Sequence, residues 1–264
     1  MIRLILVEWI KTKRTAIRWI TFLLPVLISG CIIGYTVVHG RYNYFEMNIF
    51  KTFFEALAIF IVPPGVSVLT AQVVYEEELA GGFNMFLSEK FPRYKLYLSK
   101  FCILNIILIT VVFLTTAIFF IGTAVFLPEI LKISAFFIIG AILTILGTLP
   151  IIAIHLWLSF SYGMGTSIGT GIIGLLTAAI IGGTELGNNI WQFIPWALPI
   201  RLVKAIDPYL EFSADMMNPP VLISSGWTVG QFLLGIISVE IYLAIAIIGG
   251  IIWFNKWEGK RYYE

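Results

Sequence analysis

Apolar residues run in long unbroken stretches along this chain, and polar residues gather between them. Six stretches are long enough to cross a bilayer as helices, which takes about 20 residues. They are Ile20–Val38, Phe53–Val74, Phe101–Leu127, Ser134–Leu158, Thr166–Thr184 and Gln231–Phe254. The stretches are continuously apolar rather than alternating, which predicts helices and not barrel strands. The expected fold is an all-α integral membrane protein, six transmembrane helices in a single transmembrane domain over residues 1–264. No repeat and no separate soluble domain interrupts the pattern.

The segments between the stretches carry patterns of their own. Over residues 1–17, Ile2, Ile5, Leu6, Trp9 and Ile10 share one helical face, while Glu8, Lys11 and Arg14 fall elsewhere on the wheel. This predicts an amphipathic interfacial helix, with Trp9 at headgroup depth and Lys11, Lys13 and Arg14 turned toward anionic lipid. Residues 75–100 form an island of charge: Glu76, Glu77, Glu78, Glu89, Lys90, Arg93, Lys95 and Lys100, a quarter of the charged residues in the chain. Charge is costly in hydrocarbon, so the island belongs in water or among headgroups. Inside it, Phe83–Glu89 has the length of two helical turns, with apolar Phe83, Phe86 and Leu87, framed by Gly81-Gly82 and Phe91-Pro92-Arg93. A short apolar-tipped helix of this kind suits the groove of a soluble partner; a solvated loop is the alternative.

Helix breakers and small residues add detail. Pro63-Pro64-Gly65 must kink or break the second span, and Pro150, preceded by Gly147, does the same in the fourth. The fifth span holds Gly165 and Gly169 in a small-xxx-small pair that permits close helix contact, within the chain or with another subunit. Residues 185–230 mix prolines with aromatics, which predicts short helices dipping into the outer interface with Trp191 and Trp196 as anchors.

Composition narrows the function. Hydrophobic residues make up 59% and charged residues 12%, where a soluble domain has about 25% charged. A net charge of +2 gives a nucleic-acid partner no electrostatic support. With the N-terminus inside, 12 Lys and Arg fall on the cytosolic side and 5 outside, which places both termini and the charged island in the cytosol of a bacterial cell. Ile28-Ser29-Gly30-Cys31 imitates a lipoprotein cleavage site, but the apolar run continues through Val38, so Cys31 reads as a packing residue.

Candidate chemistry is sparse. Two histidines and two cysteines at different depths support neither a metal site nor a disulfide. No Walker A loop occurs; Phe254 stands where the first glycine before Gly259-Lys260 would have to be. Glu76-Glu77-Glu78 opens like the motif of intramembrane CAAX-type proteases, yet Gly81 and Gly82 occupy the positions that require arginine. No catalytic residue, metal or directly bound cofactor is expected. Glu240, well inside the sixth span, is either a functional carboxylate or a protonated bridge to Tyr162, Tyr242 or His155. His155 itself reads as a satisfied structural residue.

Glu78-x-x-x-Gly82, Phe86-Leu87, Pro92-Arg93 and Lys100 resemble the cytosolic loop of ABC-2-type permeases. The likeness extends over the N-terminal helix, the six spans and the long last external segment. It implies a coupling helix over Gly82–Glu89 that contacts an ABC ATP-binding subunit. Glu78, Gly82, Phe83, Phe86, Leu87, Glu89, Pro92 and Arg93 are then coupling residues, and ATP is used by the partner. It further implies two ATP-binding copies, a second permease subunit and outer helices flanking the substrate exit. The opening Glu8-Trp9-x-Lys11-x-Lys13-Arg14-Thr15 resembles permease subunits of lantibiotic-immunity exporters, of the MutE/EpiE or MutG/EpiG type. That narrower likeness implies a lanthionine peptide, or another amphipathic molecule, taken from the membrane.

Overall fold

A computed structural model of the chain describes residues 1–39, 46–81, 83–88, 91–210, 212, 218 and 220–259. Every regular element among them is helical. α1 (Ile2–Lys11) leads through a 3-10 turn, Thr12–Arg14, into α2 (Ala16–His39). A π turn, Ala56–Ile61, joins α3 (Glu46–Glu55) to α4 (Val62–Leu79). One helical turn, α5 (Asn84–Leu87), stands in the charged loop before α6 (Arg93–Phe126) and α7 (Ser134–Tyr162). α8 (Met164–Thr177) continues as a second π turn, Ala178–Gly182. Three 3-10 turns, then α9 (Leu198–Lys204), α10 (Asp207–Leu210) and α11 (Val221–Ser224), precede α12 (Trp227–Lys256).

Six helical stretches are long and apolar enough to span a membrane: Ala16–Val38, Asn48–Leu79, Arg93–Phe126, Pro128–Tyr162, Met164–Gly182 and Trp227–Lys256. The chain is a multi-pass membrane protein, as its hydrophobic pattern predicts. Several helices overrun their apolar windows, because extending an existing helix adds a hydrogen bond for each residue fixed. One overrun places Lys100 inside α6 rather than ahead of it. The spans are unequally buried: 67% of the second and fourth against 11% of the sixth. α4 and α7 therefore form the centre, and α12 lies along the rim.

The two proline sites differ in their setting. Pro63 and Pro64 fall in the first turn of α4, where an amide donor has no helical acceptor and proline is tolerated. The discontinuity lies just before them, in the widened π turn. Pro150 sits inside α7, which stays one α-helix from Ser134 to Tyr162.

Two aromatic blocks brace opposite ends of the bundle. Toward the end remote from the loop, Phe50, Phe53 and Phe54 meet Phe119 and Phe137; Phe53 and Phe119 stack at 4.3 Å. Gly140 makes room for the Phe54 ring. At the loop end, Phe83, Phe86, Tyr97, Phe160, Phe254 and Trp257 lie within 4.9–6.3 Å of one another in successive pairs.

The segment after span 5 departs from expectation. Trp191 is buried, 1% exposed, rather than anchored at an interface. Trp196 is half-buried, with its ring over Gly174 and Nε1 donating to His155 Nε2 at 3.4 Å. Pro199 lies so close to Gly147 that an added Cβ there would meet backbone at 2.6 Å. The segment thus re-enters the bundle down to mid-length of α7 and of the fifth span. Irregular backbone is tolerated at such depth only when enclosed by protein. Large apolar residues stay exposed on either side of this stretch, Leu186, Ile190 and Phe193 before α9 and Phe212, Val221 and Leu222 after α10. In α8, Gly171 and Gly174 serve contacts within the chain, whereas Gly165 and Gly169 face open space.

Candidate functional site

The charges expected to keep the loop in water are partly withdrawn into protein. Lys100 of α6 is 2% exposed, Glu8 of α1 5% and Glu77 of α4 6%. Lys100 Nζ donates to Glu8 Oε2 and to Glu77 Oε1. Lys11 Nζ donates to Glu77 Oε1 at 2.8 Å and lies 3.5 Å from Glu8 Oε1. A buried ammonium is tolerable only with close compensation. Here two acids and two bases balance to zero. The Phe86 ring of α5 completes the group, 5.4 Å from Lys100 Nζ and 5.9 Å from Lys11 Nζ, a cation–π distance. Beside the cluster lies a half-open cavity of about 340 Å³ bounded by Thr12, Thr15, Val73 and Ile103.

Burial, the largest single influence on Lys11, favours its neutral amine. The hydrogen bond to Glu77 and the charges of Glu8 and Glu77 outweigh it and raise the pKa above the usual lysine value. Lys11 is therefore a fixed cation at the exposed edge of the cluster, 44% accessible, and the expectation that it turns toward anionic lipid is corrected in that its ammonium pairs with protein carboxylates. α1 presents Leu4 and Glu8 to the bundle, and exposes Ile2, Leu6 and Ile10. The charged side chose protein because two opposite charges wait there, a fact no single helical wheel contains.

Two further contacts fasten the loop. Phe83 enters α5 with φ 68, a left-handed conformation that is costly for a bulky residue. Its ring is 1% exposed and sits 4.9 Å from that of Trp257. Arg93 Nη1 donates to the Asn255 carbonyl at 3.3 Å and to that of Trp257, capping the end of α12. Phe83 and Phe86 are thus not an outward tip: both face the bundle, and the exposed side of α5 carries Asn84 and Ser88.

The remaining residues singled out from sequence fall as follows. Glu78 is half-buried in the last turn of α4 and Leu87 at the end of α5, and Pro92 is exposed at the head of α6. Gly82 and Glu89 lie outside the described residues. Trp9 is half-buried under the Arg18 guanidinium at 4.8 Å, Lys13 is exposed, and Arg14 closes the 3-10 turn. Glu240 is exposed on α12 and makes no hydrogen bond or ion pair among the described residues. The bridge expected for it is absent there: Tyr242 donates to the Phe193 carbonyl at 2.9 Å. His155 holds Ser167 at 3.0 Å and accepts from Trp196. Ser167 in turn donates to the Ser67 carbonyl at 3.2 Å, so His155 is satisfied as its sequence setting suggests.

Sequence reasoning missed Glu8, Glu77 and Lys100 as a unit. Their separations of 92 and 23 positions from Lys100 carry no local signal. The one available hint was a lysine directly abutting an apolar stretch.

Toward the other end, a second charged group ties the re-entrant segment to span 2. Lys204 pairs with Glu55 at 3.0 Å and Lys51 with Asp207 at 3.6 Å. Arg201 donates to the Ile181 carbonyl at 2.7 Å and the Thr184 carbonyl at 2.5 Å, and Lys204 to that of Gly183 at 2.6 Å, closing the π turn of span 5. Burial raises the Asp207 carboxyl to about 6 against the opposing pull of Lys51 and Lys204.

No curated protein and no solved structure matches the chain. A family model described as ABC-2 family transporter protein matches residues 4–177, from α1 to the end of α8. That stretch holds four whole spans and most of the fifth, the charged loop and all four members of the ionic cluster. With six membrane helices, a loop tied into them at three points and a family match over most of its length, the chain belongs to the ABC-2 family of transporter proteins, the permease components of ABC transporters.

Proposed function

We propose that the chain is the permease half of an ATP-driven exporter, and that α5 is the element through which ATP-binding subunits move it. The observation that carries this reading is the two-sidedness of α5. One side is locked by Phe83 and Phe86 to the bases of α6, α7 and α12 and to the ionic cluster, while the other presents Asn84 and Ser88. A push on the exposed side would reach α1, α4, α6 and α12 together. In this reading two ATP-binding copies sit in the cytosol beneath two permeases, alike or different, in a bacterial plasma membrane, with both termini cytosolic. The substrate is an amphipathic peptide, a lantibiotic expelled as self-immunity; a drug- or lipid-like molecule is the alternative. An intramembrane enzyme would have the buried His155–Ser167 contact to draw on, but there Ser167 is taken up by the Ser67 carbonyl and His155 by Trp196, which speaks against it.

Glu240 enters here as the point where another molecule acts. A carboxylate on a lipid-facing helix with no partner among the described residues is costly, so the reading assigns it a second permease or the substrate as neighbour. The test uses a cysteine-free background. Ser88→Cys is expected to react with impermeant maleimide only in opened cells and to cross-link to a co-expressed ATP-binding subunit. Asn189→Cys is expected to react in intact cells. Labelling of both from outside overturns the orientation; absence of any cross-link from α5 overturns its role.

A further inference from the structure

An apolar groove runs down the rim between α7 and α12. Ile154 and Trp157 form one wall, and Tyr242 and Trp253 the other, enclosing about 480 Å³. Gly249 forms its floor: an added Cβ there would meet nothing within 4 Å. Gly249 and Trp253 also line a second hollow of about 490 Å³ that carries the groove on to Lys256. The two hollows share Gly249 and Trp253 and follow one another along α12. The polar limits of the groove are unlike its interior. Tyr242 closes one end with its hydroxyl engaged by Phe193. Lys256 stands exposed at the other, with no hydrogen-bond or ion-pair partner among the described residues, and Glu258 lines the same hollow.

The dimensions identify the occupant. Tyr242 to Lys256 spans 14 helical steps, about 21 Å at 1.5 Å per residue. One leaflet with its headgroups is about 20 Å deep. The groove therefore opens at headgroup level beside an ammonium and ends near the bilayer midplane. Tryptophans such as Trp253 and Trp257 are at home near that boundary, and a lysine there reaches for phosphate. We infer that the groove is a binding site for one glycerophospholipid of the leaflet on the charged-loop side. One acyl chain lies over Gly249 between Trp157 and Trp253, and the phosphate lies on Lys256. Arg93 caps the same end of α12, so a bound lipid would rest on the helix terminus to which the loop is tied. The assignment depends on the groove and not on what the transporter carries.

The experiment uses the full chain in vesicles of three parts phosphatidylcholine to one part phosphatidylglycerol, the latter bearing a photoactivatable acyl chain. The exposed face of α2, with Trp19 and Leu27, serves as the internal measure of bulk lipid contact. Labelling per residue is expected to be several-fold higher on the α7 and α12 lining than on α2. Gly249→Leu fills open space without meeting a neighbour, and is expected to remove that excess while leaving α2 labelling and thermal stability unchanged. Lys256→Gln should keep the chain in the groove but abolish preference for phosphatidylglycerol over a neutral diacylglycerol probe. Labelling of the groove no greater than that of α2, or unchanged by Gly249→Leu in a folded protein, overturns the site. Neither result bears on coupling through α5.

Discussion

At the scale of the residue, the buried ion cluster is where one substitution should cost most. Lys100→Met leaves Glu8 and Glu77 sharing Lys11 alone, and breaking a buried pair typically costs 3–5 kcal/mol. The thermal midpoint in detergent should fall accordingly, and adding Glu77→Gln should recover part of the loss, since it withdraws one stranded charge. Independent, additive losses would show that the cluster is solvated. Asp207 gives a pH signature of opposite cause. Its carboxyl is raised from 3.8 to about 6 by burial, so the folded chain holds the proton more tightly than the unfolded one. That contribution is fully present below about pH 4 and is lost as pH rises through 6, at most roughly 3 kcal/mol. Unfolding midpoints of the wild type should decline across this window, and those of Asp207→Asn should decline less. Neither site was legible from sequence. The charges were visible, but their signs pair only after helices far apart in the chain have packed.

The elements were far more legible than the contacts between them. Continuous apolar runs state their length directly, so the six spans follow from a one-dimensional reading, with differences only at their ends. The charged loop and its short helix were likewise visible between breakers. What the pattern did not contain was which way the helix turns. Phe83 and Phe86 looked like a tip for a partner because a single turn has no stated inside, and the aromatic block that claims them comes from α6, α7 and α12. This separates two substitutions. Phe86→Ala should lower stability by about 3–5 kcal/mol through an unfilled core position. Asn84→Arg on the exposed face should leave the thermal midpoint within about 0.5 kcal/mol of wild type, while reducing recovery of the ATP-binding subunit. If both weaken stability alike, α5 has no free face.

For the whole molecule, the re-entrant segment decides how the bundle closes. Its proline-rich, aromatic composition suggested interfacial helices, and only close approach at Gly147, Gly174 and Gly235 shows that it packs into the bundle through Trp191, Trp196, Pro199 and Leu202. Glycines lend themselves to several readings, so this inversion had no sequence signal. Gly147→Leu should leave all six spans inserted, as judged by the two-cysteine labelling, but unseat α9 from α7. Trypsin should then cut at Arg201 and Lys204, which in the wild type are occupied by the carbonyls of the π turn. Cleavage no faster than in the wild type would place α9 elsewhere. The same geometry sets an order of events during biosynthesis. Trp191 rests near Gly235 of α12, and Leu202 packs on that same glycine, so the pocket that receives the segment includes a helix made after it. α7 and α8 offer the segment part of its seat as it leaves the ribosome, but the wall that α12 supplies arrives only with the last span, so its docking is completed after the chain has been threaded.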